Sequence, residues 1–397
     1  MFDVARVRGL YPTLGSGIAH LEGSYSALLP ETVVRAIITT LRSSPAQPGS
    51  RSARSQRSAA AVRDARRAVA DLVNTPADDV MLGANVSTLL GRFVDVVSQD
   101  WQLGDEIVLS RLDHDANVRP WLRAAKASGA IVQWAEVDVE TGELPDWQYE
   151  KLINRRTRLV TVPLANPATG TVPATGHISE MAHDVGALVV VDAGAALPHM
   201  PIDMVALGAD VLSISATTFG GPTLGIMGAR PGLMSELERP GSLPGRQRFE
   251  VGSLPVELID GLTAAIDHLA GLDEWAVGSR RERLVTSLTA AGEYQSKLFD
   301  AARNRLERLR GVTLLGSSET RLPVAGFTVA GRSPTQVGEM LYDYDVSVWT
   351  GENGLTELMR AIGADELGGT VHFGVMPHTT GDEIDQFIDA LSMIARR

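Results

Sequence analysis

Asp192 closes an apolar run, Ala187-Leu188-Val189-Val190-Val191, and a carboxylate there needs a cationic or hydrogen-bonding partner. It either caps a turn or faces a ligand. His114, in Asp113-His114-Asp115, is on its own an ordinary structural histidine unless a site forms around it. Gly83-Ala84-Asn85-Val86 follows a short apolar run and precedes a helical pattern. Such a turn is either a tight connection or a place where helix N-terminal amides hold an anion. Thr217 and Thr218 lie just past Val211-Leu212-Ser213-Ile214-Ser215 and offer hydroxyls but no amine. Lysine occurs only at 126, 151 and 297, none of them at the end of a strand-like run. Cysteine is absent, which excludes thiol nucleophiles, thiolate metal sites and disulfides. No Gly-x-Ser-x-Gly elbow occurs. His177, Glu180 and His183 are spaced three and three, unlike the i, i+4 pair of zinc helices, and mark a solvated amphipathic helix rather than a metal site.

The elements that must position these groups alternate in type. Val62, Ala65, Val69 and Leu72 recur at helical spacing, predicting an amphipathic helix over 56–74. A short strand from Val80 to Leu82 meets the glycine turn, and a helix is expected to start near Ser87 and Thr88, both good N-caps. Apolar, β-branched runs follow at 105–110, 131–137, 158–165, 187–192, 210–215 and 224–228. Helical stretches at 117–129, 145–155 and 176–186 separate most of them. This pattern predicts an α/β fold with a mostly parallel sheet covered on both faces, whose ligands sit at the carboxyl ends of the strands.

After about residue 255 a long helical region (256–311) leads to strands near 324–330 and 369–375 and a closing helix at 381–395. The expected division is a large α/β domain over 16–255 and a small α+β domain over 256–397 joined by 1–15. The Ser/Arg/Pro/Gly-rich stretch 43–58 is expected to be a surface or interface loop, with Arg51, Arg54 and Arg57 on a solvated face.

The 397 residues are enough for one large core and a smaller one, and 44% hydrophobic with 21% charged residues is ordinary for a soluble protein. A formal net charge of -12 argues against nucleic acid as a partner. The chain shows no signal peptide, and its longest apolar stretch is interrupted by Asp192 and too short to span a bilayer. A cytoplasmic location with no membrane partner is the expectation.

Asp210-Val211-Leu212-Ser213-Ile214-Ser215-Ala216-Thr217-Thr218-Phe219-Gly220-Gly221-Pro222 resembles the segment around the cofactor lysine of the aminotransferase class V family. These are the cysteine desulfurase-like enzymes that use pyridoxal 5'-phosphate (PLP). Asp113-His114-Asp115-Ala116-Asn117-Val118-Arg119-Pro120-Trp121 resembles the family's Glu-His-x-Ala-Asn-x-x-Pro-Trp block, and Arg248-Phe249-Glu250-Val251-Gly252-Ser253 its Arg-Phe-Glu-x-Gly-Thr segment. The resemblance covers roughly residues 20–395. It implies the PLP-dependent fold type I, with a seven-stranded large domain and a small C-terminal domain, in a homodimer.

Residue by residue, it implies that Ala84, Asn85, Val86 and Ser215 hold the cofactor phosphate and that Ser253 reaches a neighbouring subunit's phosphate. It implies that Asp192 faces the pyridine nitrogen and that His114 stacks on the ring. The departures lie at the chemistry. Thr218 stands at the lysine position and cannot form a Schiff base; Thr217 replaces a His or Tyr. Ala195 stands where the family has Gln or His, and Asn166 is offset by one from the ring-contact asparagine. His372 replaces the arginine that clamps the substrate carboxylate. A cysteine desulfurase in its usual form is excluded, since no cysteine can carry the persulfide. The expectation is a PLP-dependent aminotransferase-like protein of amino acids with a degenerate site. It would hold PLP or its amine form noncovalently, with slow or altered catalysis in which a base such as His114 replaces the lysine. The alternative is a non-catalytic homodimer that binds a small ligand or a protein partner.

Overall fold

The computed structural model describes residues 2–23 and 25–396. Seven strands form the main sheet: β1 (Val80–Gly83), β2 (Glu106–Ser110), β3 (Ile131–Ala135), β4 (Thr157–Pro163), β5 (Leu188–Asp192), β6 (Val211–Ser215) and β7 (Gly225–Ala229). Their order is β1-β7-β6-β5-β4-β2-β3. All neighbours run parallel except at β7, which is antiparallel to both β1 and β6. The expectation of a mostly parallel sheet holds, with one reversed strand.

The near-continuous apolar strands follow from burial on both faces. Along β5, Val189 and Val191 join the core on one face while Val190 joins the core on the other. Helices α3 (Val86–Val97) and α4 (Asp115–Ser128) cover the second face through Phe93 and Trp121. On the first face lie α1 (Glu31–Arg42), through Val33, α2 (Ala53–Val73), through Ala65, Val69 and Leu72, and α5 (Thr175–Asp184), through Ile178 and Ala182.

The second sheet is fully antiparallel: β8 (Val312–Leu314), β9 (Val324–Val329), β10 (Trp349–Gly351) and β11 (Thr370–Gly374), in the order β10-β11-β9-β8. Its core packs Phe327 and Phe373 of the strands against Phe387 of the closing helix, Gly381–Arg396.

Three expectations change. The helical region 256–311 is two helices, α6 (Val256–Ala270) and α7 (Arg280–Leu306), the second opened by a capping box between Ser279 and Glu282. The stretch 145–155 holds only a single turn of 3-10 helix and Tyr149–Leu152. The cores also divide elsewhere than at residue 255. Ile259, Leu262 and Ile266 of α6, and Leu284 and Leu288 of α7, pack in the core of the large sheet. Phe299, Ala302 and Leu306 of the same α7 pack with the small sheet, so this helix spans both. Val7, Tyr11 and Leu14 likewise belong to the large core, and the N-terminal chain joins the small one only at Ala19 and Leu21. Amphipathic periodicity shows that a helix covers something, not which sheet it covers.

Candidate functional site

The carboxyl ends of β1, β2, β4, β5 and β6 converge because these strands run the same way, and the reversed β7 locks the first to the last. Gly225 of β7 pairs with Gly83 on one side and Ser215 on the other. A Cβ on Gly225 would stand 2.2 Å from the Asn85 carbonyl carbon and 2.4 Å from the Val86 nitrogen, so only glycine lets the turn come this close.

A cavity of about 270 Å³ opens at this edge. Asn85 and Val86 line it at the start of α3. The N-cap is Asn85 rather than Ser87 or Thr88: its Oδ1 accepts from the Thr88 amide at 2.8 Å and from the Thr88 hydroxyl at 2.9 Å. The amides of Val86 and Ser87, first in the helix, have no intrahelical acceptor and lie at the cavity wall. Ser215, Thr217 and Thr218 follow on the β6 side; the Ser215 and Thr217 hydroxyls are 2.9 Å apart. The Thr218 hydroxyl donates to the Ser215 carbonyl at 2.9 Å.

Asp192 and His114 also line the cavity. Oδ1 of Asp192 accepts from the Gly194 amide at 2.8 Å; among the described residues no hydrogen bond reaches its other oxygen. Burial pushes the Asp192 carboxyl up, and the nearby His114 ring opposes that rise. Nδ1 of His114 accepts from the Ala116 amide at 3.1 Å, so in the neutral ring the hydrogen is on Nε2.

Two ionisable lining residues escaped the sequence reading. Asp113, almost fully buried, accepts from the His114 amide at 2.8 Å and the Asn117 side-chain amide at 2.7 Å. Burial pushes its carboxyl well up and the Asp192 charge pushes it further, so Asp192 is the first of the two to ionise. Its position directly before His114 was the available signal. Tyr25 is the other, carried over the β6 loop by a strap whose Ala27 amide donates to the Thr217 carbonyl at 3.0 Å. No local pattern announces it.

Four expected site residues lie outside the lining. Ala84 is exposed on the turn. Asn166 is fully buried; its Nδ2 donates to the Leu112 carbonyl at 2.7 Å and its Oδ1 accepts from the Ala168 and Thr169 amides, so it holds its own loop together. His372 is also fully buried and sits behind Tyr25, outside the lining. Ser253 is exposed in a separate surface groove beside Gln47 and Pro48. Its neighbour Glu250 is anchored by a bidentate pair with Arg66, at 2.7 and 2.8 Å. None of the three lysines lines the cavity. His177 and His183 pair with Asp146 and Asp210, at 2.8 and 3.0 Å. Among the described residues no helix is long and apolar enough to cross a membrane.

The profile of the aminotransferase class-V family matches residues 20–387. The chain is 40% identical to "Uncharacterized protein MT3887" of Mycobacterium tuberculosis, over 99% of both chains. It is 29% identical to a probable cysteine desulfurase of Mycolicibacterium paratuberculosis, covering all of this chain and 58% of that one. In fold it matches the apo cysteine desulfurase of Thermococcus onnurineus NA1 with a TM-score of 0.88 at 24% identity, over 99% and 98% of the two chains. The cysteine desulfurase CsdA of Escherichia coli gives 0.84 at 23% identity, over 100% and 99%. At those identities the structural matches establish the fold. The chain belongs to the aminotransferase class-V family, whose enzymes depend on PLP.

The cavity meets part of what that cofactor needs. A buried carboxylate with one oxygen free suits a protonated ring nitrogen, and open helix amides with hydroxyls suit a phosphate. The described lining carries no amine side chain: Thr218 presents a hydroxyl, and none of the three lysines is on the wall.

Proposed function

We propose that this chain holds PLP or its amine form, pyridoxamine 5'-phosphate, noncovalently in the cavity between Asn85 and Asp192. When bound, the cofactor supplies an electron sink for an attached amino group. The amides of Val86 and Ser87, with the hydroxyls of Ser215 and Thr217, would take the phosphate. Asp192 would hold the ring nitrogen protonated, and His114 would pack on the ring. Catalysis is weak or altered, because Thr218 spends its hydrogen on the Ser215 carbonyl and cannot move a proton as an amine would. His114 does not replace it: Ala116 occupies Nδ1, and the remaining nitrogen carries hydrogen. The observation that carries this reading is Thr218 on the cavity wall with all three lysines elsewhere. The exposed Ser253, away from its own chain's cavity, supports a homodimer in which it reaches the other copy.

The test is reduction of the PLP-equilibrated protein with borohydride followed by peptide mapping. No labelled lysine is expected, and cofactor should leave on dialysis. A cofactor-labelled lysine peptide overturns the noncovalent reading. Thr218→Lys should turn the protein yellow if the rest of the pocket is intact.

A non-catalytic binding homodimer is the second reading. It is favoured by His372, buried where a substrate clamp would be needed. Purified protein that neither retains nor takes up PLP selects it.

A further inference from the structure

Tyr25, backed by His372, sets the polarity of one part of the cavity wall. Nε2 of His372 lies 3.0 Å from the Gly351 carbonyl oxygen, which can only accept, so this nitrogen carries the ring hydrogen. Nδ1 is then bare, and the Tyr25 hydroxyl 3.4 Å away is its donor. The rings meet edge to face, 5.2 Å apart at 88°. With its hydrogen turned back to His372, the Tyr25 oxygen offers lone pairs to the cavity it lines. Burial pushes the His372 imidazole down to about 4 and the Tyr25 phenol up, so both rings are neutral at pH 7.

Away from the Val86 and Ser87 amides, the wall has the same bias. Thr218 has given its hydrogen to a carbonyl. Asp192 is the carboxylate that ionises first, and among the described residues no lysine or arginine lines the cavity. A ligand carboxylate placed here would face acceptors with no cation to balance it, which is costly in a partly desolvated site. An ammonium would find acceptors of the right sign.

We infer that the group entering beside Tyr25 is an ammonium rather than a carboxylate, so the site takes amines that lack a free α-carboxylate. This rests on the reading of the cavity as the ligand site and names the class of compound it accepts.

The experiment is calorimetric titration of the full chain at pH 7 with n-propylamine and with L-2-aminobutyrate, which differ only in the carboxylate. PLP affinity is measured in a separate titration. The amine is expected to bind at least about tenfold more tightly. Tyr25→Phe keeps the ring but removes the acceptor and should weaken amine binding by roughly tenfold, with circular dichroism checking the fold. Tyr25→Arg should reverse the preference. Equal affinities, tighter binding of the amino acid, no binding of either compound, or a Tyr25→Phe protein that folds and binds the amine normally overturns the inference. Loss of PLP binding alone refutes the cofactor reading and leaves the amine preference standing.

Discussion

Gly354 lies directly against His114: a Cβ added to Gly354 would stand 2.2 Å from the ring's Nε2. Its φ of +74° belongs to the left-handed region, and its carbonyl accepts from the Asp115 amide at 2.7 Å at the start of α4. The loop after β10 therefore seats the side chain that precedes α4 through backbone alone. Gly354→Ala should displace the ring, cost about 1 kcal/mol or more in thermal stability, and weaken PLP binding about tenfold in an absorbance titration.

Gly225→Ala drives its Cβ into the backbone of Asn85 and Val86. It should cost about 1–3 kcal/mol by urea unfolding and weaken cofactor binding as the turn shifts. Gly228→Ala on the same strand is the control. Its Cβ would meet nothing nearer than 3.4 Å, so it should change stability much less and leave binding intact.

The proton on Asp113 sets a pH dependence. Its folded carboxyl is pushed above the unfolded value, so folding is most favoured with the group protonated. That contribution is complete below the unfolded pKa near ~4 and is lost as pH rises through the folded value. Asp113→Asn should raise the melting temperature at neutral pH and leave it unchanged at pH ~3. The new amide finds an acceptor if the Asn117 side chain flips to present its buried, unpartnered Oδ1. Equal melting shifts at both pH values would contradict this assignment.

Glu250 joins two elements: it pairs with Arg66 and accepts from the Leu82 amide at 2.8 Å on β1. Both side chains are largely buried. Glu250→Ala leaves a buried guanidinium unpaired and should cost about 3–5 kcal/mol by chemical denaturation. Loosening the segment that carries Ser253 should also lower dimer content in light scattering, if Ser253 serves a second copy.

Acid should unfold the protein earlier than its carboxylates alone require. Burial depresses His199, His268 and His372 to about 4 and His378 to about 3, and the Tyr11 hydroxyl lies 2.8 Å from Nε2 of His268. A histidine with a depressed folded value stabilises fully above its unfolded pKa of ~6.5 and loses that contribution as pH falls through the folded value. The urea midpoint should therefore fall steeply between pH ~6.5 and ~4. His378→Gln should flatten part of that slope; an unchanged slope would show that His378 does not contribute.

The strands of the large sheet were legible because burial on both faces demands unbroken apolar runs such as Leu188 to Val191. Edge strands of three residues, Val312–Leu314 and Trp349–Gly351, carry too little pattern to stand out. The structure brings Asn85, Asp192, Ser215, Thr218 and His114 around one cavity because each follows or ends a strand of common direction. Asn166 and His372 also lie in recognisable motifs, yet their side chains point into packed interior, which motif spacing does not encode.

What the chain composition determined by itself is chemical: with no cysteine, thiol chemistry is absent whatever the fold, and only three lysines could supply an amine. Which groups meet was decided by tertiary structure. Tyr25 and His372 are 347 residues apart, and their contact exists because the N-terminal strap and β11 are packed against each other. Long-range pairing of this kind depends on chain topology and close packing, and neither leaves a periodic trace in the local sequence.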